Sequence, residues 1–372
     1  MKPPGQILIV NAGSSSLKLR RLDARDRLLA SHDLPTTRGT VDRAALRDVL
    51  AGETRPDAVG HRIVHGGRRY LGPVRLDDAV ERDLRQLVDL APLHQPKSLD
   101  ALEAVKALYP EVPAVGSFDT AFHAAMPAAA TTYALPREWR ERWQLRRYGF
   151  HGLSHAYATR RVAELLGRPP DGFRAVICHL GAGASLAAVA GGMSVDTTMG
   201  FTPLEGLVMA TRSGTVDPGL LMWLQEHVGM PAQEMAATLE SRAGLLGLSG
   251  TADMKQVVER RDAGDATATI AFDVYIHRLR AGIASMAAAM DGLDALVFTG
   301  GVAERSAAVR AAACAGLGFL GVRLDDAANV QAAPGPPDRE IGAPEAAVRA
   351  FVIEAREDLQ IAREVRQVLS SA

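Results

Sequence analysis

Four stretches of this chain concentrate the side chains that handle anions. HRIVHGG sets His61, Arg62 and His65 against a Gly66-Gly67 turn, and FDTAFH carries Asp119 and His123. RRYGFHGLSH carries His151 and His155, and MGFTPLEGLVMATRSGTVDPG places Arg212 in a Ser/Gly loop. Two turns of small residues, NAGSSS ending at Ser16 and GAGAS ending at Ser185, offer backbone N–H groups that can approach and cradle an anion; Lys18 follows the first. FTGGVAERS adds a strand, a Gly-Gly turn and a helix start. A lone Gly/Ser turn is usually plain loop, and it is their company with the other clusters that raises their interest. Neither the Walker pattern nor G-x-G-x-x-G occurs, so phosphate would need this other kind of cradle. His151 and His155 have the i,i+4 spacing of a metal pair. The residues between them, Gly-Leu-Ser, lack the acid of a zinc helix, so we read one loop histidine and one helix-face histidine.

Composition narrows the field. The 372 residues suit two domains. Lys+Arg number 42 against 43 Asp+Glu, a net charge of -1, which leaves no footprint for nucleic acid or an anionic membrane. An anionic substrate must therefore be held by a local basic site. The two cysteines, Cys178 and Cys314, sit in apolar surroundings and offer neither a disulfide framework nor a zinc site. The start, MKPPGQILIV, lacks the pattern of a signal peptide, and no apolar run reaches the ~18 residues of a membrane span. A reducing cytoplasm is the expected compartment.

The elements that must position these residues read as follows. ILIV–NAGSSS–LKLR is a strand, a turn and a strand over residues 6–20, and AVICHL–GAGAS–LAAVAGG repeats the design near Ala175. Two such hairpins so far apart suggest a duplicated domain. Helices are predicted over 77–90, 97–108, 154–166, 266–290, 306–315 and 354–369, a buried strand over 295–299, and a Pro/Gly/Ala-rich surface loop over 331–344. Strands alternate with helices, so the class is α/β.

VNAGSSSLK, GHRIVHGG, LAPLHQP, FDTAFH, RYGFHGLSH, HLGAGAS, MGFTPLEGLVMATRSG, GLLGLSG and FTGG, taken in order, resemble the acetate kinase family over nearly the whole chain. The resemblance implies the actin-like, sugar-kinase superfold: two duplicated ribonuclease H-like domains around a central cleft. We expect the first over 1–126 plus about 359–372, and the second over 127–358. It implies reversible phosphoryl transfer between ATP and acetate, with magnesium or manganese, in a homodimer. Other readings stay open: propionate or another short carboxylate, a different donor such as pyrophosphate, or a non-catalytic metabolite sensor.

By the same resemblance, Arg62, Asp119, His151 and Arg212 match the catalytic groups, and His94 a further cleft histidine. Arginine suits such work because its planar, permanently charged fork pairs with carboxylate or phosphate. Asp119 matches a residue often named a proton acceptor. A carboxylate substrate is already ionised at neutral pH, so we assign Asp119 to orienting Arg62 or the metal. Val64, Leu93, Phe150 and Pro203 match a small acyl pocket. Ser14, Ser16 and Lys18 match the first phosphate hairpin. Nucleotide contacts are expected from His179, Leu180, Gly181, Ala182 and Gly183, from Asp253, Met254 and Lys255, and from Gly301, Val302, Ala303, Glu304 and Arg305. Asn11 and Asp358 match the metal neighbours, Asp358 standing in the Ala355-Arg356-Glu357-Asp358-Leu359 stretch where the family has T-N-E-E-L. Departures gather on the nucleotide side: Ala182 replaces an asparagine, Ala303 a glycine, Arg305 an asparagine, Lys255 an arginine and Thr215 an aspartate.

Overall fold

The computed structural model describes residues 4–13, 16–37, 40–91, 95–330 and 338–370. Ser14, Leu93 and His94 lie outside the described residues. The chain divides into two compact units, Met1–Ala124 with Phe150–Tyr157 and Arg356–Ala372, and Ala125–Gly149 with Ala158–Ala355.

The first unit is built on seven strands: β1 (Gln6–Ala12), β2 (Ser16–Asp23), β3 (Leu28–Thr37), β4 (Thr40–Val41), β5 (Ala58–Ile63), β6 (Val74–Arg75) and β7 (Ala114–Phe118). The sheet order is β4-β3-β2-β1-β5-β7-β6, with β1 to β4 a meander, β5 parallel to β1, β7 parallel to β5, and β6 antiparallel to β7. β1 is apolar without alternation because both its faces are covered. Ile7 and Ile9 pack on Ile361, Ala362 and Val365 of the C-terminal helix Glu357–Ser370, while Leu8 and Val10 face Leu46 and Leu50 of the helix Arg43–Ala51 and Ala101 and Val105 of the helix Gln95–Leu108.

The second unit carries β8 (Arg174–Leu180), β9 (Ala184–Ala190), β10 (Met193–Thr197), β11 (Ala295–Thr299), β12 (Arg339–Glu340) and β13 (Arg349–Val352), in the order β10-β9-β8-β11-β13-β12. β8, β9 and β10 form a meander, β11 and β13 add in parallel beside β8, and β12 closes the edge antiparallel to β13. Apart from β4, this is the strand plan of the first sheet. The echo of two hairpins in the sequence is therefore a repeated ribonuclease H-like plan, and the α/β expectation holds.

The expected helices form as Asp78–Gln86, Gln95–Leu108, Gly152–Leu166, Ala266–Ala288, Ala307–Cys314 and Glu357–Ser370. Aspartates cap helix starts: Asp77 accepts from Ala79 and Val80 N–H, Asp265 from Thr267 and Ala268 N–H, and Asp253, before the helix Met254–Asp262, from Lys255 N–H. Within the stretch expected to be loop, the described part contains β12, because Arg339 and Glu340 pair with the buried strand β13.

Candidate active site

Side chains on β1, β5 and β7 alternate between the two faces of their sheet. Ala58, Gly60 and Arg62 share the face of Ile7, Ile9 and Asn11, the face that the C-terminal helix covers; a Cβ on Gly60 would strike Ile361 and Val365. Asn11, Arg62 and Asp119 thus come to the C-terminal ends of three adjacent parallel strands, where open α/β sheets bind ligands. Arg62 donates to both Asp119 oxygens, Nε at 3.1 and 3.1 Å and Nη2 to Oδ2 at 2.6 Å. Its Nη1 reaches Asn11 Oδ1 at 3.2 Å and the Ala12 carbonyl at 3.4 Å. Asn11 Nδ2 in turn donates to Glu357 Oε2 at 2.7 Å, and that oxygen lies 4.0 Å from Arg62 Nε.

Asp119 is 1% exposed and Arg62 14%, so their interaction is little screened by water. Burial works against the charged guanidinium, but Asp119 and Glu357 outweigh it and hold Arg62 above the ordinary arginine value. Burial raises the Asp119 carboxyl above the usual aspartate value, Arg62 opposes that rise, and Glu357 adds to it. The arrangement fixes a charged arginine in one orientation.

The segment after Asp119 is tied to the segment that carries His151. Gly152 N–H donates to the Asp119 carbonyl at 2.8 Å, and a Cβ at Gly152 would lie 2.2 Å from that same oxygen, so only glycine fits the approach. His151, half-buried, adopts a left-handed φ of 58° just before the helix Gly152–Leu166. Phe150 is buried, its ring meets His65 edge-on at 5.7 Å, and its carbonyl accepts from His123 Nε2 at 3.0 Å. Val64 is buried in the same unit. His65 Nδ1 accepts from Gly67 N–H at 2.8 Å, which puts its proton on Nε2.

In the second unit Arg212 is held by its own chain. Its Nη1 donates to the Pro203 carbonyl at 2.7 Å. Burial lowers its pKa from the ordinary arginine value, with Glu240 opposing, and among the described residues no carboxylate forms an ion pair with it. A half-buried guanidinium with one carbonyl partner is well suited to bind an anion. The loop around it is pinned on both sides. Met209 and Arg212 carbonyls lie 2.2 and 2.7 Å from where a Cβ of Gly244 would stand, and Gly244 takes a φ of +61°. Ala243 N–H donates to Thr211 O and Ser213 N–H to Leu239 O, each at 3.0 Å. The Pro203 loop is secured by Glu205, which accepts from Tyr133 Oη and Arg147 Nη2 at 2.6 Å each. Thr215 N–H and the Gly206 carbonyl, 2.9 Å apart, close the loop where the resemblance leads one to expect an aspartate.

Two of the motifs expected to meet a nucleotide come together in this unit. His179, next to last in β8, stands beside Thr299 of β11; Leu180 ends the strand, and Gly181, Ala182 and Gly183 make the turn into β9. Ala182 O accepts from Ala210 N–H at 3.1 Å, joining the turn to the Arg212 loop. A Cβ on Gly300 (φ +87°) would press on the Leu180 backbone, so the Gly300-Gly301 turn packs against the same strand end. Several of these side chains are engaged within the protein. Met254 is 4% exposed and Ala303 fully buried, so both side chains face the interior. Glu304 Oε1 accepts from Gly300 N–H at 2.8 Å and Ala355 N–H at 2.9 Å, which locks the turn. Arg305 folds back onto the Gly301 carbonyl at 3.1 Å, and Val302 lies between them in the helix Gly301–Arg305. Asp253 caps its helix, and Lys255, exposed, pairs with Glu259 at 3.8 Å. In the first unit Lys18 is exposed, opposite Asn11 in the β1–β2 register, and Ser16 begins β2.

Nothing in the local sequence singles out Glu357 over its neighbour. Asp358, the acid expected at the metal, pairs its carboxylate with Arg356 at 2.9–3.3 Å. Glu357 is the acid beside Asn11. Tyr133, Arg147 and Glu205, which hold the Pro203 loop, were also missed; nothing in their local sequence marks them.

A family model described as the acetokinase family matches residues 40–363. The chain belongs to the acetokinase family. It is thereby a kinase that transfers phosphate to a carboxylate. It is 42% identical to the acetate kinase of Leifsonia xyli subsp. xyli, over 98% of this chain and 99% of that one. Among solved structures it resembles Porphyromonas gingivalis acetate kinase, with a TM-score of 0.89, 33% identity and coverage of 98% of this chain and 100% of that one. A propionate kinase from Francisella tularensis subsp. tularensis gives a TM-score of 0.89 at 32% identity, covering 97% and 98%.

Proposed function

We propose that the chain moves the γ-phosphoryl group of ATP to acetate, reversibly, giving acetyl phosphate and ADP. A carboxylate oxygen attacks phosphorus, the bond to the bridging oxygen of ADP breaks, and no proton need be removed. The difficulty is electrostatic: two anions must meet, and charge on the transferring oxygens must be stabilised. The observation that carries the reading is the Asn11–Arg62–Asp119–Glu357 cluster, in which a charged arginine is fixed before any ligand arrives. Arg212, a half-buried cation lacking a carboxylate partner among the described residues, is the second anion-binding group, and His151 supports the transferring phosphoryl group.

The donor set fits magnesium. Asn11 Oδ1 and the Glu357 carboxylate are hard oxygen donors of the kind it takes one or two at a time, so we assign Glu357 rather than Asp358 to the metal. A bound magnesium ion supplies neutralisation of phosphate charge. Ala303 points inward and Arg305 lies along its own helix, so these two departures leave the turn at Gly300 intact, which favours ATP as donor. We also propose a homodimer: the helix Pro218–His227 buries none of its residues and exposes Leu220, Met222 and Trp223, an apolar face that asks for a partner. No helix among the described residues is long and apolar enough to cross a membrane, and both cysteines are free and buried, which suits a cytoplasmic protein.

The test is a hydroxamate assay of purified protein with magnesium, acetate or propionate, and ATP or pyrophosphate. Acetyl hydroxamate formed with ATP is the expected result. Product with pyrophosphate alone would replace the donor, faster turnover of propionate would replace the acid, and no product with any pair would point to a sensor. Arg212→Ala should cut turnover by ~100-fold or more while the circular dichroism spectrum stays unchanged.

A further inference from the structure

The carbonyl that holds Arg212 is itself held by side chains. Pro203 O, which accepts from Arg212 Nη1 at 2.7 Å, stands midway between two fastened points. On one side Gly200 O accepts from Tyr148 N–H at 3.0 Å and Gly149 N–H at 3.3 Å. On the other, Gly206 is clamped by Thr215, its N–H on Oγ1 at 3.1 Å and its carbonyl on the Thr215 N–H at 2.9 Å. From 201 to 205 the chain is neither helix nor strand, and among the described residues it makes no backbone–backbone hydrogen bond. Backbone groups in such a stretch must find their partners elsewhere, so side chains set its place.

Three residues supply them. Glu205 accepts from Tyr133 Oη on Oε2 and from Arg147 Nη2 on Oε1, at 2.6 Å each. The same Tyr133 oxygen accepts from Phe201 N–H at 2.8 Å, so one phenol ties both ends of the stretch. Burial first, and then the Glu205 carboxylate, raise this hydroxyl above the ordinary tyrosine value, and it stays a donor. Arg147 also reaches Thr198 O with Nη1 at 3.2 Å, and Thr198 N–H donates to Leu186 O of β9 at 3.1 Å, which anchors the clamp to the sheet. The Arg147 and Glu205 side chains are 18% and 33% exposed, so water screens their attraction less than that of a surface pair. The clamp closes over Gly200: a Cβ there would lie 1.7 Å from Glu205 Oε2 and 2.3 Å from Tyr133 Oη.

We propose, on the reading of Arg212 as the second anion-binding group, that Glu205, Tyr133 and Arg147 are positioning residues for phosphoryl transfer: they fix the Pro203 carbonyl and through it the direction in which Arg212 points. None of the three need touch the acid or the nucleotide. Among the described residues the Pro203 carbonyl is the one hydrogen-bond partner of the Arg212 guanidinium, so a shift of that carbonyl frees the guanidinium to turn. A misplacement of about 1 Å in a group that meets the transferring oxygens lowers the rate by about 100-fold.

A double-mutant cycle on the full-length protein tests this, with initial rates from the hydroxamate assay. Glu205→Ala alone should lower kcat/KM by about 10- to 100-fold. Tyr133→Phe should lower it by about three- to tenfold, the worth of one hydrogen bond, and Gly200→Ala, which expels both groups, should match Glu205→Ala. In an Arg212→Ala background nothing is left to aim, so adding Glu205→Ala should cost less than about twofold more. A clamp that serves only the fold predicts instead that the two losses multiply, and that result would overturn the proposal. So would near-normal turnover in Glu205→Ala beside a disabled Arg212→Ala, or unchanged turnover in Gly200→Ala. Near-normal turnover in Arg212→Ala is a different failure: it removes Arg212 from the site and takes the clamp's role with it. Should Glu205→Ala fail to fold, or Arg212→Ala turn over too slowly to follow, the guanidinium Nε–H resonance of Arg212 decides, assigned by its absence in Arg212→Lys. It must shift or broaden in Tyr133→Phe, and an unmoved resonance sinks the idea.

Discussion

Replacing Asp119 by asparagine separates two roles for that residue. Asp119 takes three N–H···O contacts from Arg62, at 2.6, 3.1 and 3.1 Å, with the pair 1% and 14% exposed. Asparagine keeps the shape but turns one acceptor into a donor aimed at the guanidinium. Breaking a buried pair on one side costs about 3–5 kcal/mol, and little of this is screened because neither group reaches far into water. The variant should therefore be less stable by roughly 3 kcal/mol in urea denaturation. It should also lose about 100- to 1000-fold in kcat/KM, as Arg62 is no longer held in place. The decisive assay is the pH profile. Burial raises the Asp119 carboxyl, which is what a general base would need. If Asp119 only positions Arg62, the acid limb of kcat/KM keeps its midpoint in Asp119→Asn at the reduced rate. Loss of that limb, or near-normal turnover, would refute the positioning role.

Other outcomes follow from the same geometry. Glu357→Gln should raise the magnesium concentration needed for half-maximal activity by about tenfold, the lower end for an altered metal neighbour, while Asp358→Asn changes it little; the reverse ranking in magnesium titrations would return the metal to Asp358. Gly244→Ala forces a side chain into a φ of +61° and against the Met209 and Arg212 carbonyls, so it should cost about 1–3 kcal/mol and depress activity through the Arg212 loop, with an unchanged thermal midpoint counting against it. His61, His65 and His123 are neutral in the folded protein because burial depresses them to about 3, about 4 and about 4. The unfolded chain protonates such groups near pH 6.5, so it binds more protons below that value. Stability is full above pH 6.5 and falls toward pH 4, by roughly 2 kcal/mol per histidine at pH 5. Urea midpoints measured at pH 7 and pH 5 check this, and equal midpoints would rule it out.

What the residues reveal by themselves is local. The two hairpins were legible because turn chemistry and apolar runs act over a few residues, and the register Asn11↔Lys18 and His179↔Ser185 places their turns where expected. The repeat of the strand plan follows from that echo. Arg62 and Arg212 were singled out by the motifs around them, and the structure sets Arg62 near the end of β5 and Arg212 in its Ser/Gly loop. Met254, Ala303 and Glu304 stand in motifs expected to meet a nucleotide, but a motif says which residues recur and not which way each side chain points: the side chains of Met254 and Ala303 turn inward, and Glu304 pins Gly300.

Glu357 marks the boundary most clearly. It meets Asn11 across 346 positions of sequence, through the return of the C-terminal helix onto the face of Ile7 and Ile9. No local pattern encodes such an approach, which depends on burying Ile361 and Val365 against the sheet. The choice between two adjacent acids then falls to helix geometry: one residue is a turn of about 100°, enough to set Glu357 beside Asn11 and Arg62 and to leave Asp358 with Arg356. The sequence determined that an acid would stand at the start of that helix; only the packing of the helix decided which one.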